Sequence, residues 1–121
     1  CASGAQALVV HGGIGDGSWG VAELSTCVPR PLTEKWEEGA WKLPATTPKF
    51  VLQALWSDPS DSDAEMQRGV HPNPRGDGIP LWGLDVTLDW CARSNVDLII
   101  RSHQWVREGV KYMHSGRLVT E

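Results

Sequence analysis

Several things are scarce in this 121-residue sequence: it has one tyrosine, one phenylalanine, three cysteines and no long apolar run. Its longest apolar stretches, such as Ala7–Val10 and Val96–Ile100, fall far short of the roughly 18 residues that cross a bilayer. Cys1, Cys27 and Cys91 are odd in number and lack the CxxC spacing, which excludes a dense disulfide framework. Cys27 and Cys91 lie in apolar surroundings (24–28 and 88–92), so both are expected as reduced, buried thiols. An intracellular protein, cytoplasmic or nuclear, is the expectation. Basic excess is missing too: 11 Lys and Arg stand against 15 Asp and Glu, a formal charge of −4. Neither nucleic acid nor a membrane is therefore expected as a partner. Hydrophobic residues at 40% and charged residues at 21% are ordinary for a globular chain of one-domain size. What is abundant is tryptophan, with seven. The sequence opens on Cys1 with no signal-peptide h-region and reads as a piece of something longer.

Along the chain, Ala7–Val10 predicts a buried strand that delivers the glycine-rich loop His11-Gly12-Gly13-Ile14-Gly15. Residues 21–27 predict a short helix stopped by Pro29 and Pro31. The polar stretch 34–49, with Trp36 and Trp41, reads as a surface excursion, and those two tryptophans are expected to pack on their own domain. Residues 50–56 form a compact apolar segment, and 57–80 are rich in proline, glycine and aspartate, as in a loop. Residues 83–94 predict a helix with Leu84, Leu88 and Cys91 on its apolar face and Asp85 in the first turn. Residues 96–100 predict a second buried strand, and 110–120 a hairpin turning at Ser115-Gly116. The fold class is α/β.

Candidate chemistry gathers at the strand ends. His11 follows Val9-Val10 and His103 follows Ile99-Ile100-Arg101-Ser102. In α/β folds active sites collect where strands end, and neutral imidazole there can ligate a metal ion or be a capped structural group. Gly12 and Gly13 remove bulk, so that an ion or phosphate could approach the backbone. Arg75, in Asn73-Pro74-Arg75-Gly76-Asp77-Gly78, can clamp two phosphate oxygens or simply pair with Asp77. Asp58, in Trp56-Ser57-Asp58-Pro59, can orient that arginine or shape a turn. His71 and His114 read as solvated.

In order, the segments His11-Gly12-Gly13, Leu55-Trp56-Ser57-Asp58-Pro59, Asn73-Pro74-Arg75-Gly76, Gly83-Leu84-Asp85-Val86-Thr87 and Ile99-Ile100-Arg101-Ser102-His103-Gln104 resemble the motifs of the phosphoprotein phosphatase (PPP) family of metal-dependent Ser/Thr phosphatases. Glu108-Gly109 and residues 116–120 resemble the stretch before that family's closing motif. The resemblance implies the C-terminal half of a single catalytic domain, part of a calcineurin-like metallophosphatase β-sandwich flanked by helices, with a surface insertion at about 34–49. It implies hydrolysis of phosphoserine and phosphothreonine by a hydroxide activated by two metal ions (Mn, or Fe and Zn). His11 and His103 would be ligands of one ion, Arg75 would bind the substrate phosphate, and Asp58 would help hold that site. The implied partners are a phosphoprotein and either the N-terminal half of the domain or a regulatory subunit.

The family's D-x-H, GD-x-x-DRG and GNHE motifs, which supply the other ligands, are absent from this sequence. Two imidazoles alone leave an ion two or more ligands short, so this chain by itself is expected to be inactive. The long excursion resembles branches with appended modules, namely the EF-hand, tetratricopeptide-repeat or kelch-repeat phosphatases. Trp82, where the family usually has Phe, and Trp105 depart from the pattern. A non-catalytic phosphatase-like scaffold or interaction subunit is the alternative, with a generic metallo-hydrolase of non-protein phosphate behind it.

Overall fold

The computed structural model describes residues 4–61 and 67–121; Cys1 lies outside them. Its main sheet has four strands in the order β1-β7-β9-β8, with β1 at Ala7–Val10, β7 at Leu98–Arg101, β8 at Lys111–Met113 and β9 at Leu118–Thr120. β1, β7 and β9 run parallel, and β8 returns antiparallel to β9 through a single 3₁₀ turn at His114–Gly116. Beside this sheet lie the helices α1 (Val21–Thr26), α2 (Lys49–Trp56) and α3 (Leu84–Ser94). A hairpin of β2 (Lys35–Glu37) and β3 (Ala40–Lys42) occupies the excursion, and β4 (Asp58–Pro59), β5 (Val70–His71) and β6 (Leu81–Trp82) form a small second sheet.

Strand alternation explains where the core sits. Register places Leu8, Ile99, Leu118 and Met113 in one row across the main sheet. That row joins Trp90 and Cys91 of α3, and Ile14, Trp19, Ala54 and Trp82, in one hydrophobic cluster. The opposite face carries the row Val9, Ile100, Val119 and Tyr112. Val119 is buried there, but Val9 at one sheet edge is 75% exposed and Tyr112 at the other 71%. One face of the sheet is thus packed and the other largely open at its edges. Mixed strands and helices bear out the α/β class.

Helix α3 follows the expected span, but its buried face is rotated: Thr87, Trp90 and Cys91 point inward, while Leu88 is exposed. The reason is polar. The Thr87 hydroxyl accepts from Trp82 Nε1 at 2.9 Å and pairs with His114 Nδ1 at 2.7 Å, so this side chain is needed inside. Asp85 accepts the Gly69 amide at 2.8 Å, and Asn95 ends the helix in the left-handed conformation. His114, expected to be solvated, is fully buried; its Nε2 lies 3.0 Å from the Ser60 carbonyl. Cys91 is buried as expected, but Cys27 is exposed, because it caps a six-residue helix with no buried residue.

Candidate active site

Parallel pairing of β1 with β7 sets the register Val10↔Arg101. The next residues, His11 and Ser102, therefore leave the sheet side by side, and the Ser102 amide donates to the His11 carbonyl at 3.1 Å. His103 then adopts a left-handed backbone (φ 70°), a conformation uncommon for a non-glycine residue. The ring meets His11: His103 Nδ1 and His11 Nε2 are 3.0 Å apart, with the ring planes at 66°. The Ser102 hydroxyl contacts the remaining nitrogen of His11, Nδ1, at 3.0 Å. His103 Nε2 is buried without a hydrogen-bond partner among the described residues. Burial first, then the positive charge of Arg75, pushes the His103 imidazole below its ordinary 6.5.

Arg101 closes β7 as a buried cation, only 1% exposed. It donates to the Gly12 carbonyl (2.6 Å), Gln104 Oε1 (2.5 Å), the Ser57 carbonyl (3.3 Å) and Asp58 Oδ1 (3.0 Å). Asp58 opens β4, one residue past the cap of α2, and its other oxygen accepts from Arg75 Nε at 2.5 Å and Asn73 Nδ2 at 2.9 Å. Burial raises the Asp58 pKa, but hydrogen bonds from Arg75 and Asn73 and the charges of both arginines outweigh it, leaving the carboxyl below its usual range. Asp58 is thus a carboxylate shared by two guanidinium groups. Arg75 is anchored through Nε and Nη2, and Nη2 also approaches the His103 carbonyl at 3.4 Å. Nη1 has no partner among the described residues, leaving two N–H groups to donate. The alternative pairing of Arg75 with Asp77 is not formed.

The structure therefore brings His11, His103, Arg75 and Asp58 into one place. Three further members escaped the sequence reading. Arg101, Asn73 and Trp56 each stood within a motif quoted above, but none was given a role there. The Trp56 ring stands edge-on to His103, with centroids 5.2 Å apart. His71 does not join; it is half-buried in β5 with Nε2 on the Arg68 carbonyl at 2.5 Å. Gly12 and Gly13 serve a different purpose from the one expected. A Cβ on Gly12 would lie 2.6 Å from the α2 backbone, and one on Gly13 would lie 1.9 Å from the Trp82 ring. Both amides point at the Ala54 carbonyl, at 2.8 and 3.3 Å. These glycines let the loop pack on α2 and Trp82 and offer no cradle to an anion.

The facing nitrogens of His11 and His103 suit one metal ion. Two donors at right angles around an ion, each about 2.1 Å from it, stand about 3 Å apart. The Ser102 contact is the kind of outer-shell partner that fixes a ligand imidazole. The fit is partial, since no group of three or more His, Cys, Asp or Glu able to hold a metal occurs among the described residues.

No protein-family model matches the chain. Individual proteins do. The serine/threonine-protein phosphatase BSL2 of Arabidopsis thaliana is 32% identical over 113 residues, 93% of this chain and 10% of that protein. The catalytic subunit of serine/threonine-protein phosphatase 6 of Drosophila melanogaster is 48% identical over 66 residues, 54% of this chain and 20% of its own length. Among solved structures, a protein serine/threonine phosphatase of Saccharomyces cerevisiae, similar to human phosphatase PP5, superposes with a TM-score of 0.70 at 25% identity, covering 95% of this chain and 30% of its own. The chain spans about a tenth to a third of the length of these relatives. Sequence likeness over nearly the whole chain and a common fold agree: the chain belongs to the phosphoprotein phosphatase family of serine/threonine phosphatases, where it matches the C-terminal part of the catalytic domain.

Proposed function

We propose that this chain supplies the phosphate-binding arginine and two metal-ligand histidines of a phosphoserine/phosphothreonine phosphatase. The observation that carries the reading is the position of Arg75, anchored on Asp58, beside the His11–His103 pair, with Nη1 left to donate. Asp58 fixes the guanidinium, and Arg101 fixes Asp58 from beneath. Arg75 then offers a rigid fork to the equatorial oxygens of a phosphoryl group. His11 and His103 would hold one of the two metal ions (Mn, or Fe and Zn), in the neutral state that ligation requires. Such ions, when bound, activate water at neutral pH and neutralise developing charge. The remaining ligands would come from the N-terminal half of the domain, so this chain alone is read as inactive; a regulatory subunit and a cytoplasmic or nuclear setting belong to the same reading.

A second reading, a non-catalytic phosphatase-like scaffold, is favoured by one observation: the histidine pair has no third ligand among the described residues. Titration with Mn²⁺ and binding of a phosphoserine peptide, both on the full-length protein that carries this chain, separate the two. The catalytic reading expects metal binding that His11→Asn or His103→Asn removes. It also expects phosphopeptide binding that Arg75→Ala weakens at least tenfold without altering metal content. Phosphopeptide affinity indifferent to Arg75, together with no metal uptake, would establish the scaffold instead.

A further inference from the structure

We propose that His114 is a positioning residue for the phosphate-binding pair Asp58–Arg75, holding the short strand from which Asp58 projects; this rests on the phosphatase reading above. Nothing in the chemistry proposed there touches His114, yet its imidazole is fully buried. It stands in a turn where His114, Ser115 and Gly116 all take left-handed conformations (φ 48°, 56° and 77°). The first two are not glycine, and such residues persist in that region only where their surroundings hold them there. Here the surroundings are hydrogen bonds. Imidazole Nε2 lies 3.0 Å from the Ser60 carbonyl and 3.3 Å from the Ser60 hydroxyl, and Nδ1 lies 2.7 Å from the Thr87 hydroxyl. A carbonyl only accepts, so of the two neutral tautomers the one with its proton on Nε2 fits. Thr87, which already accepts from Trp82, then donates its single proton to Nδ1. The direction of each bond along Trp82, Thr87, His114 and Ser60 is thereby fixed.

Ser60 is where this row meets the candidate site. β4 is a two-residue strand at the edge of the small sheet, whose order is β4-β6-β5. The amides of this segment face β6: Asp58 donates to the Pro80 carbonyl at 3.3 Å and Ser60 to the Trp82 carbonyl at 2.7 Å. The imidazole takes the Ser60 carbonyl, so the segment is gripped from two directions. Only Pro59, whose ring locks φ, separates that grip from Asp58. Arg101 and Asn73 hold the Asp58 carboxylate at its head. His114 holds the backbone from which it hangs. Arg75 takes its aim from that carboxylate through Nε at 2.5 Å, so a shift at Ser60 moves the guanidinium that would meet phosphate. Displacing an aligned group by about 1 Å can cost about 10²-fold, and the other partners of Asp58 limit the loss here to about tenfold.

The test is calorimetric titration of the full-length protein that carries this chain, with Mn²⁺ on the metal-free form and with inorganic phosphate on the metal-loaded form. His114→Asn keeps a polar atom for Thr87 and tolerates the left-handed backbone, but its side chain is too short to reach Ser60. His114→Gln places an amide N–H where Nε2 stood. Phosphate is expected to bind about tenfold weaker to the Asn variant and within about threefold of wild type to the Gln variant, with Mn²⁺ affinity within about twofold in both. Pro59→Gly, which cuts the link and leaves the imidazole in place, should reproduce the Asn result. In an Arg75→Ala background the difference between Asn and Gln should shrink below about twofold, because the group being positioned is gone. The proposal is overturned by wild-type phosphate affinity in both His114→Asn and Pro59→Gly, or by a Gln variant no better than Asn. An equal fall in phosphate and Mn²⁺ affinity, or a difference that survives Arg75→Ala, overturns it as well. Phosphate affinity of the unmodified protein that does not depend on Arg75 overturns the phosphatase reading, and the proposal with it.

Discussion

Replacing Asp58 by alanine is expected to destabilise the protein by about 3–5 kcal/mol, the cost of leaving one member of a buried ion pair uncompensated. The reasoning starts from Arg101. Its side chain is fully buried, and Asp58 is the only carboxylate in contact with it among the described residues. The carbonyls of Gly12 and Ser57 and the side chain of Gln104 accept its hydrogen bonds but carry no charge. Arg75→Ala removes the other guanidinium from the same carboxylate, yet should cost only about 1 kcal/mol. Arg75 is a third exposed, and Asp58 keeps Arg101 and Asn73 as partners. Urea denaturation of the three proteins measures both values. Adding Arg101→Met to Asp58→Ala should recover part of the loss, because the stranded charge goes with it. The stabilisation also has a pH signature. The Asp58 pKa is lowered in the folded state, so its contribution is present above the unfolded value near 3.8 and is lost as pH falls through the lower, folded value. A loss in Asp58→Ala no greater than in Arg75→Ala would refute the picture of Arg101 as a cation compensated by Asp58.

In metal-free buffer the depressed pKa of His103 means that, just below pH 6.5, the unfolded chain binds a proton that the folded chain does not. Stability should rise with pH through that window and level off above it, and His103→Asn, which tolerates the left-handed backbone, should flatten the slope in denaturation midpoints from pH 5 to 8; an unchanged slope would count against it. Gly13→Ala forces a methyl group into the buried Trp82 ring and should lower stability by at least about 2 kcal/mol in thermal unfolding, whereas an undiminished Tm would show that the loop can shift. Trp82→Phe removes one buried donor to Thr87 and should cost about 1 kcal/mol, read in the same way; a neutral result would mean that Thr87 finds another donor.

Much of the site was legible because it lies where apolar runs stop. Val9-Val10 before His11, and Ile99-Ile100 before Arg101-Ser102-His103, announce strand ends, and parallel register does the rest. The excursion at 34–49 was visible as polar sequence, but its hairpin was not, since three-residue strands carry too little alternation to read. Helix α2 was equally opaque: eight residues, mostly apolar, fit a buried strand as well as a buried helix. Arg101 was hidden for another reason. The strand was read as ending at residue 100, one short of it, and its partner Asp58 lies 43 residues away, so only the fold reveals that this charge is buried with a counter-charge. His114 was misread as solvated, since its imidazole is acceptable inside only because the Thr87 hydroxyl and the Ser60 carbonyl meet it there.

Seven tryptophans in 121 residues make the molecule its own optical instrument. Trp19 and Trp90 form an edge-on pair within the core, with centroids 6.3 Å apart, while Trp36 and Trp41 form one at the surface. Indoles this close couple their electronic transitions, so each pair contributes an exciton signal to the circular dichroism spectrum. Iodide, which quenches by collision, reaches the hairpin pair and not the buried one. Unpinning of the hairpin and melting of the core can therefore be followed as separate events in a single sample, without a label.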